Sequence, residues 1–171
     1  MASAIVLTRN YGSNRYPIAI GPHQTITGGA NTGGCVHCAK SNIILGNHAY
    51  ACGSNPIVLI GSRAKVKGGG VAVGQSAQVD DDGYVGGVAI GNASCSFGGG
   101  IAIGFNTKAH NDGIAIGNGL YASSRELVIG AELCSGGYKF AMSSDGITFQ
   151  MGDVYINLTA EEFANALSVP L

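Results

Sequence analysis

Tryptophan is missing altogether, and proline is sparse, with 4 among 171 residues. Charge is scarce as well: 11% of the residues are Asp, Glu, Lys or Arg, and they nearly cancel to a net charge of −1. Phosphate binding needs clustered Lys and Arg, so nucleic acid is not expected as a main partner. No run is long and apolar enough to span a bilayer, so membrane insertion is not expected either. The start, Met1-Ala2-Ser3-Ala4-Ile5, has neither the basic n-region nor the long apolar run of a secretory signal. The cysteines number 5, an odd count that fits a disulfide framework poorly and suits a chain folded in a reducing compartment.

What the chain does have is glycine, 29 of them, together with 46% hydrophobic residues, a mixture that argues against disorder and for a turn-dense fold. The glycines close a four-residue unit, aliphatic–small–aliphatic–Gly, that recurs along most of the chain. Its copies are Ile18-Ala19-Ile20-Gly21, Ile43-Ile44-Leu45-Gly46, Val58-Leu59-Ile60-Gly61, Val71-Ala72-Val73-Gly74, Val88-Ala89-Ile90-Gly91, Ile101-Ala102-Ile103-Gly104, Ile114-Ala115-Ile116-Gly117 and Leu127-Val128-Ile129-Gly130. The intervals between the glycines are 25, 15, 13, 17, 13, 13 and 13 residues, and Gly34 falls where a degenerate copy would divide the longest. A period this short is the mark of a repeat architecture.

Alignment on the final Gly exposes a second pattern. Three and five residues later the chain is mostly small or apolar, as in Ala64/Val66, Ala77/Val79 and Thr107/Ala109; four residues later it is mixed, as in Lys65, Gln78 and Lys108. Alternation of period two predicts a strand with its middle residue in solvent. Each unit therefore predicts two short strands and two Gly-rich turns. The whole is an all-β solenoid of about 13 residues per coil. In the first strand the flanking aliphatics are expected to point into the coil. The middle column, Ala19, Ala72, Ala89, Ala102, Ala115 and Val128, is then expected outside, as an apolar strip joining copies of the chain.

Val88-Ala89-Ile90-Gly91-Asn92-Ala93-Ser94-Cys95-Ser96 and Ile114-Ala115-Ile116-Gly117-Asn118-Gly119-Leu120-Tyr121-Ala122 fit one register. That register resembles the head domain of trimeric autotransporter adhesins, whose heads carry Ser-x-Ala-Ile-Gly-x-x-Ala-x-Ala repeats. The resemblance covers roughly residues 17 to 135. It implies a left-handed parallel β-roll, three chains around an axis, and adhesion to a surface. Phage tail fibres look similar and use the roll in receptor-binding trimers. The adhesins carry a secretion signal, a coiled-coil stalk and a membrane barrel that are not seen here. Either the chain is a fragment or it is a particle component made in the cytoplasm without a signal peptide, and the C-terminal tail favours the second expectation.

Around the roll, residues 1–16 read as an N-terminal strand and cap, with Ala4–Thr8 extended and Arg9, Tyr11, Arg15 and Tyr16 following. Cys35, His37 and Cys38, with His48 and Cys52 nearby, form a metal-like group, since thiolate and imidazole are zinc ligands. A second proper half-site is lacking, and five free cysteines are the plainer reading. The 17-residue interval holds Asp80, Asp81, Asp82 and Tyr84, a protruding loop whose ring and carboxylates suit a sugar; a solvated loop is the alternative. Residues 136–171 break the repeat. They read as strands at 138–142 and 147–151 around a Ser143-Ser144-Asp145-Gly146 turn, a third strand at 154–158, and a short helix opened by the capping box Thr159-Ala160-Glu161-Glu162. This hairpin and helix are expected to cap the solenoid and lock the oligomer.

The function expected is that of a non-enzymatic homotrimer, a tail fibre or tip component in a virion or other extracellular particle. Its partners would be itself, a host-surface glycan or protein, and other particle components, with no cofactor. The alternative is an enzyme. Ile60-Gly61-Ser62-Arg63-Ala64-Lys65 resembles the hexapeptide of left-handed β-helix acyltransferases, which place a His base between subunits. Those hexapeptides run three per coil, whereas this unit occurs once per coil. His23 and His48 share a turn column, and no nucleophile–base–acid set can be placed.

Overall fold

The computed structural model describes residues 5–7, 18–20, 25–28, 42–46, 48–53, 55–80, 86–131 and 137–167. The strands run in chain order as β1 (Ile5–Leu7), β2 (Ile18–Ile20), β3 (Thr25–Gly28), β4 (Asn42–Leu45), β5 (Tyr50–Gly53), β6 (Ile57–Ile60), β7 (Lys65–Lys67), β8 (Gly70–Val73), β9 (Gln78–Asp80) and β10 (Gly87–Ile90). They continue as β11 (Cys95–Phe97), β12 (Ile101–Ile103), β13 (Lys108–His110), β14 (Ile114–Asn118), β15 (Tyr121–Ala122), β16 (Leu127–Ala131), β17 (Tyr138–Ser143), β18 (Gly146–Met151) and β19 (Val154–Thr159), and the helix α1 (Ala160–Leu167) follows.

Successive strands alternate between two parallel sheets, as a solenoid requires. The first sheet has the order β1-β2-β4-β6-β8-β10-β12-β14-β16-β17-β18-β19, and the second β15-β13-β11-β9-β7-β5-β3. The coils number about six at a spacing of ~13 residues. Each unit lies in register on the next: Ala89 pairs with Ala102, Ala102 with Ala115, and Ala115 with Val128. At the two ends of the first sheet the pairing turns antiparallel, β1 with β2, and β16 through β17 and β18 to β19.

Glycine makes this stacking possible at one turn. Gly61, Gly74, Gly91, Gly104, Gly117 and Gly130 all have φ between +131° and +149°, a region closed to other residues. A Cβ on any of them would overlap the backbone of the neighbouring strand or coil. Two residues after the glycine of the unit the chain is left-handed, at His48 (after Gly46), Arg63, Ser76, Ala93, Asn106 and Gly119 (φ 50–69°). The ladder continues through this turn, because Ser76 N–H donates to Ser62 O, Asn106 N–H to Asn92 O and Gly119 N–H to Phe105 O, each at 2.9 Å. The coils are thus joined by hydrogen bonds at the turns as well as along the strands.

Inside the coil the second sheet is as expected. Ala49, Ala64, Ala77, Ser94, Thr107 and Leu120 are buried, as are Ala51, Val66, Val79, Ser96, Ala109 and Ala122. The buried hydroxyls find carbonyls, Ser94 Oγ donating to Gly91 O at 2.9 Å, Thr107 Oγ1 to Gly117 O at 2.8 Å and Ser96 Oγ to Gly100 O.

The first sheet is turned the other way from the expectation. Ala72, Ala89, Ala102, Ala115 and Val128 are completely buried within a single chain, with Ile44 and Leu59 in the same column, so they cannot form a strip joining copies. The flanking aliphatics face out instead. Coil width is the reason. From β8 onward each coil sends in one middle residue of the first sheet and two residues of the second, most of them small, while the coil at β6 also buries Ile57 beside Leu59, Ala64 and Val66. Two Ile per coil added to the second sheet's contribution would overfill such a coil. Where the middle residue is large, at Ile44 and Leu59, it clusters with Ala49, Ala51 and Ala64. The side chain of Ala19 lies outside the described residues; its backbone pairs with Ile44 in the same register.

The C-terminal strands extend the first sheet. Ser143 and Gly146 close the β17–β18 connection, Phe140 and Phe149 contact at 5.1 Å between ring centroids, and α1 folds back on β18 and β19. The helix is opened by a reciprocal cap. Thr159 N–H and Oγ1 both donate to Glu162 Oε2 at 2.9 Å, and Glu162 N–H donates to Thr159 Oγ1 at 3.1 Å. The two bonds from Thr159 hold the Glu162 carboxyl below its ordinary pKa.

Candidate functional site

The outside of the first sheet is a strip of aliphatic side chains two files wide. One file runs Leu45, Ile60, Val73, Ile90, Ile103, Ile116 and Ile129, each paired in register with the next. The other runs Ile43, Val58, Val71, Val88, Ile101, Ile114 and Leu127 on the same strands. Both files carry on across the antiparallel strands. Ile129 pairs with Phe140, Phe140 with Phe149 and Phe149 with Ile156, while Leu127 pairs with Met142, Met142 with Ile147 and Ile147 with Leu158. No polar residue interrupts either file. The strip is half-exposed: Ile60 is 37% and Ile129 41% accessible, rising to 78% at Met151 and 69% at Val154, which form a third file with Tyr138. Apolar patches this long on a folded chain are characteristic of interaction surfaces.

The outside of the second sheet is different. One file reads Tyr50, Lys65, Gln78, Cys95, Lys108 and Tyr121, and its neighbour Cys52, Lys67, Asp80, Phe97 and His110. Asp80 Oδ2 lies 3.6 Å from Lys65 Nζ and Asp80 Oδ1 3.5 Å from Lys67 Nζ. Phe97 stacks on His110 at 4.4 Å between ring centroids, and His110 approaches Tyr121 at 5.3 Å. The rings stand side by side along the coil axis and use their faces on one another. They brace adjacent coils more than they offer a flat platform. Cys95 is half-buried, and burial pushes its thiol pKa up; Asp80 adds to that shift, while Lys108 and Lys65 oppose it. A raised pKa means little thiolate at neutral pH and a poor nucleophile.

Of the residues singled out in the sequence, Asp80 is placed at the end of β9, held by two lysines. Asp81, Asp82 and Tyr84 lie outside the described residues, as do Cys35, His37, Cys38 and His23. His48 is in the exposed turn expected of it, and Cys52 is half-buried on the outer face of β5. Among the described residues no three His, Cys, Asp or Glu side chains converge as a metal site. No described helix is long and apolar enough to cross a membrane.

Sequence reasoning missed the flanking aliphatics themselves. A usable signal lay in β18, where Ile147-Thr148-Phe149-Gln150-Met151 alternates plainly with its apolar residues on one face. Carried back through the pairing, that face is the one bearing Ile129, not Val128.

Comparison with known proteins adds no likeness: no protein-family model matches the sequence, and neither a curated protein nor a solved structure is detectably similar to it.

Proposed function

We propose that the chain is one subunit of a non-enzymatic homotrimer that attaches a particle to a cell surface, as a tail fibre or fibre tip of a phage or phage-like particle does. The uninterrupted aliphatic strip of the first sheet carries this reading. A rod with one apolar long face is satisfied by copies of itself arranged around an axis, each burying its strip against the others. In that arrangement the solenoid is a left-handed roll, the second sheet faces outward, and the C-terminal strands and helix cap the rod. Asp80 then lies on the exterior in three copies, and receptor contact is assigned to it together with Asp81, Asp82 and Tyr84, which follow it in sequence. Each copy can bind a surface glycan or protein weakly and gain avidity from the others. The roll motif and the low charge fit such a particle component, working outside the cell and joined to other fibre parts.

Light scattering on the purified chain, followed by an array of bacterial surface glycans, tests this. The expected result is a species of three times the 17.2 kDa chain mass that binds selected glycans saturably. A species at 17.2 kDa overturns the trimer and the reading built on it.

A further inference from the structure

The last part of the chain is folded but barely covered. From Asp153 to Ala166 only Leu158 is even half-buried, and every other residue is exposed. This segment comprises β19, which ends the first sheet and pairs on one side only, and most of α1. Ordering a strand and a helix costs conformational entropy at each residue, and burial is what ordinarily offsets it. Here the chain's own burial is slight. The uncovered residues are also the wrong ones to leave in water: Val154, Ile156 and Phe163 are all more than 40% accessible.

We propose that β17–β19 and α1 form an intersubunit clasp, ordered only when copies of this chain meet, and that the clasp supplies much of the interface area the roll lacks. The inference rests on the homotrimer proposed above and names the element that holds it. Area argues for it. Seven rungs of the roll at ~4.8 Å, two alternate side chains wide, make a strip of roughly 350 Å², well under the ~800 Å² per partner of a stable interface. Three strands of six residues, each ~20 Å long, add roughly 300 Å² and so nearly double it. Continuity argues that the occupant is another copy. The files of the roll pass without a break into Phe149 and Ile156, so whatever covers Ile103 and Ile129 also covers the clasp. No charged side chain stands in those files for a partner of opposite charge to recognise.

The test compares the full-length chain with its Phe149→Asp/Ile156→Asp variant by sedimentation velocity and hydrogen exchange. In the wild type the amides of 154–166 should be protected in the assembled state and lose protection on dilution, as the complex dissociates. The variant should associate at least tenfold more weakly while β12 and β14 stay protected. A variant that assembles as the wild type does overturns the clasp and leaves the trimer standing. A wild-type chain that is monomeric at every concentration overturns both. If the variant does not fold, the wild-type dilution series decides alone: amides of 154–166 that exchange at the same rate in assembled and dissociated protein overturn the clasp.

Discussion

Along the roll, from β4 to β16, the outward positions of the first sheet hold Val, Ile and Leu. On the second, across a coil only a few side chains wide, they hold Lys, Gln, Tyr, Asp, Cys, Phe and His. Both sheets send a regular file of buried side chains into the coil, so stacking alone does not account for the difference outside. A solenoid that met only water would have had no use for fourteen aliphatic side chains on one face, and the second sheet shows what a solvated face of the same coil looks like. The asymmetry is what the proposed assembly would account for, whereas the interior is a statement about fold.

The sharpest way to break this comparison is one charge on each face. Ile103→Asp puts a carboxylate in the middle of the aliphatic strip. Inside an assembly it would be an unpaired buried charge, which is strongly destabilising. The expected outcome is loss of the oligomer at micromolar concentration, a change of at least a hundredfold in the association constant. Lys108→Asp on the exposed face of the second sheet should leave the mass unchanged. Sedimentation equilibrium reads both. Equal effects, or none from Ile103→Asp, would remove the distinction between the faces.

A smaller effect separates the inside of the first sheet from its outside. Ala102 is completely buried between Ala89 and Ala115, so Ala102→Leu adds three carbons to a filled space and should cost about 1–3 kcal/mol. Ile103→Leu, one residue on and half-exposed, is a volume-conserving change and should cost less than about 1.5 kcal/mol. Denaturant titration of the two variants gives the order. A stability unaffected by Ala102→Leu, with a change in mass instead, would return Ala102 to the surface.

That pair of positions also shows where the sequence was readable. The repeat, the coil length and the two-sheet architecture follow from spacing and glycine. The second sheet's orientation follows from alternation, because Lys65 and Lys108 have an obvious place in water and Val66 and Ala109 do not. Ile101-Ala102-Ile103 offers no such contrast. All three residues are apolar, and intrinsic hydrophobicity favours burying the larger two. The width of the coil decides otherwise, and width is a property of the closed turn rather than of any one residue. The Thr159–Glu162 cap was legible because its bonds span three residues. The exposure of β19 was not, since it depends on what the other elements fail to cover. The Asp80 carboxylate was legible as a charge, but its capture by Lys65 and Lys67 depends on the stacking of β7 on β9.

The smallest expected effect lies between the two interiors. The first sheet turns only hydrocarbon inward, whereas the second sends in Ser94, Ser96 and Thr107, whose hydroxyls bind carbonyls at the turns. Thr107→Val keeps the shape and removes one such bond, the 2.8 Å bond to Gly117 O that links adjacent coils. A net loss of about 1 kcal/mol is expected, a fall of about 2–4 °C in the thermal midpoint of a chain this size. The change should not alter the mass, because the side chain is wholly inside the coil. If Thr107→Val were neutral, the hydroxyl would be one more small filler, and the two interiors would be equivalent. If it cost as much as Ala102→Leu, the bond would be a main tie between coils and the second sheet the stiffer of the two. Differential scanning calorimetry on the two variants side by side distinguishes these cases.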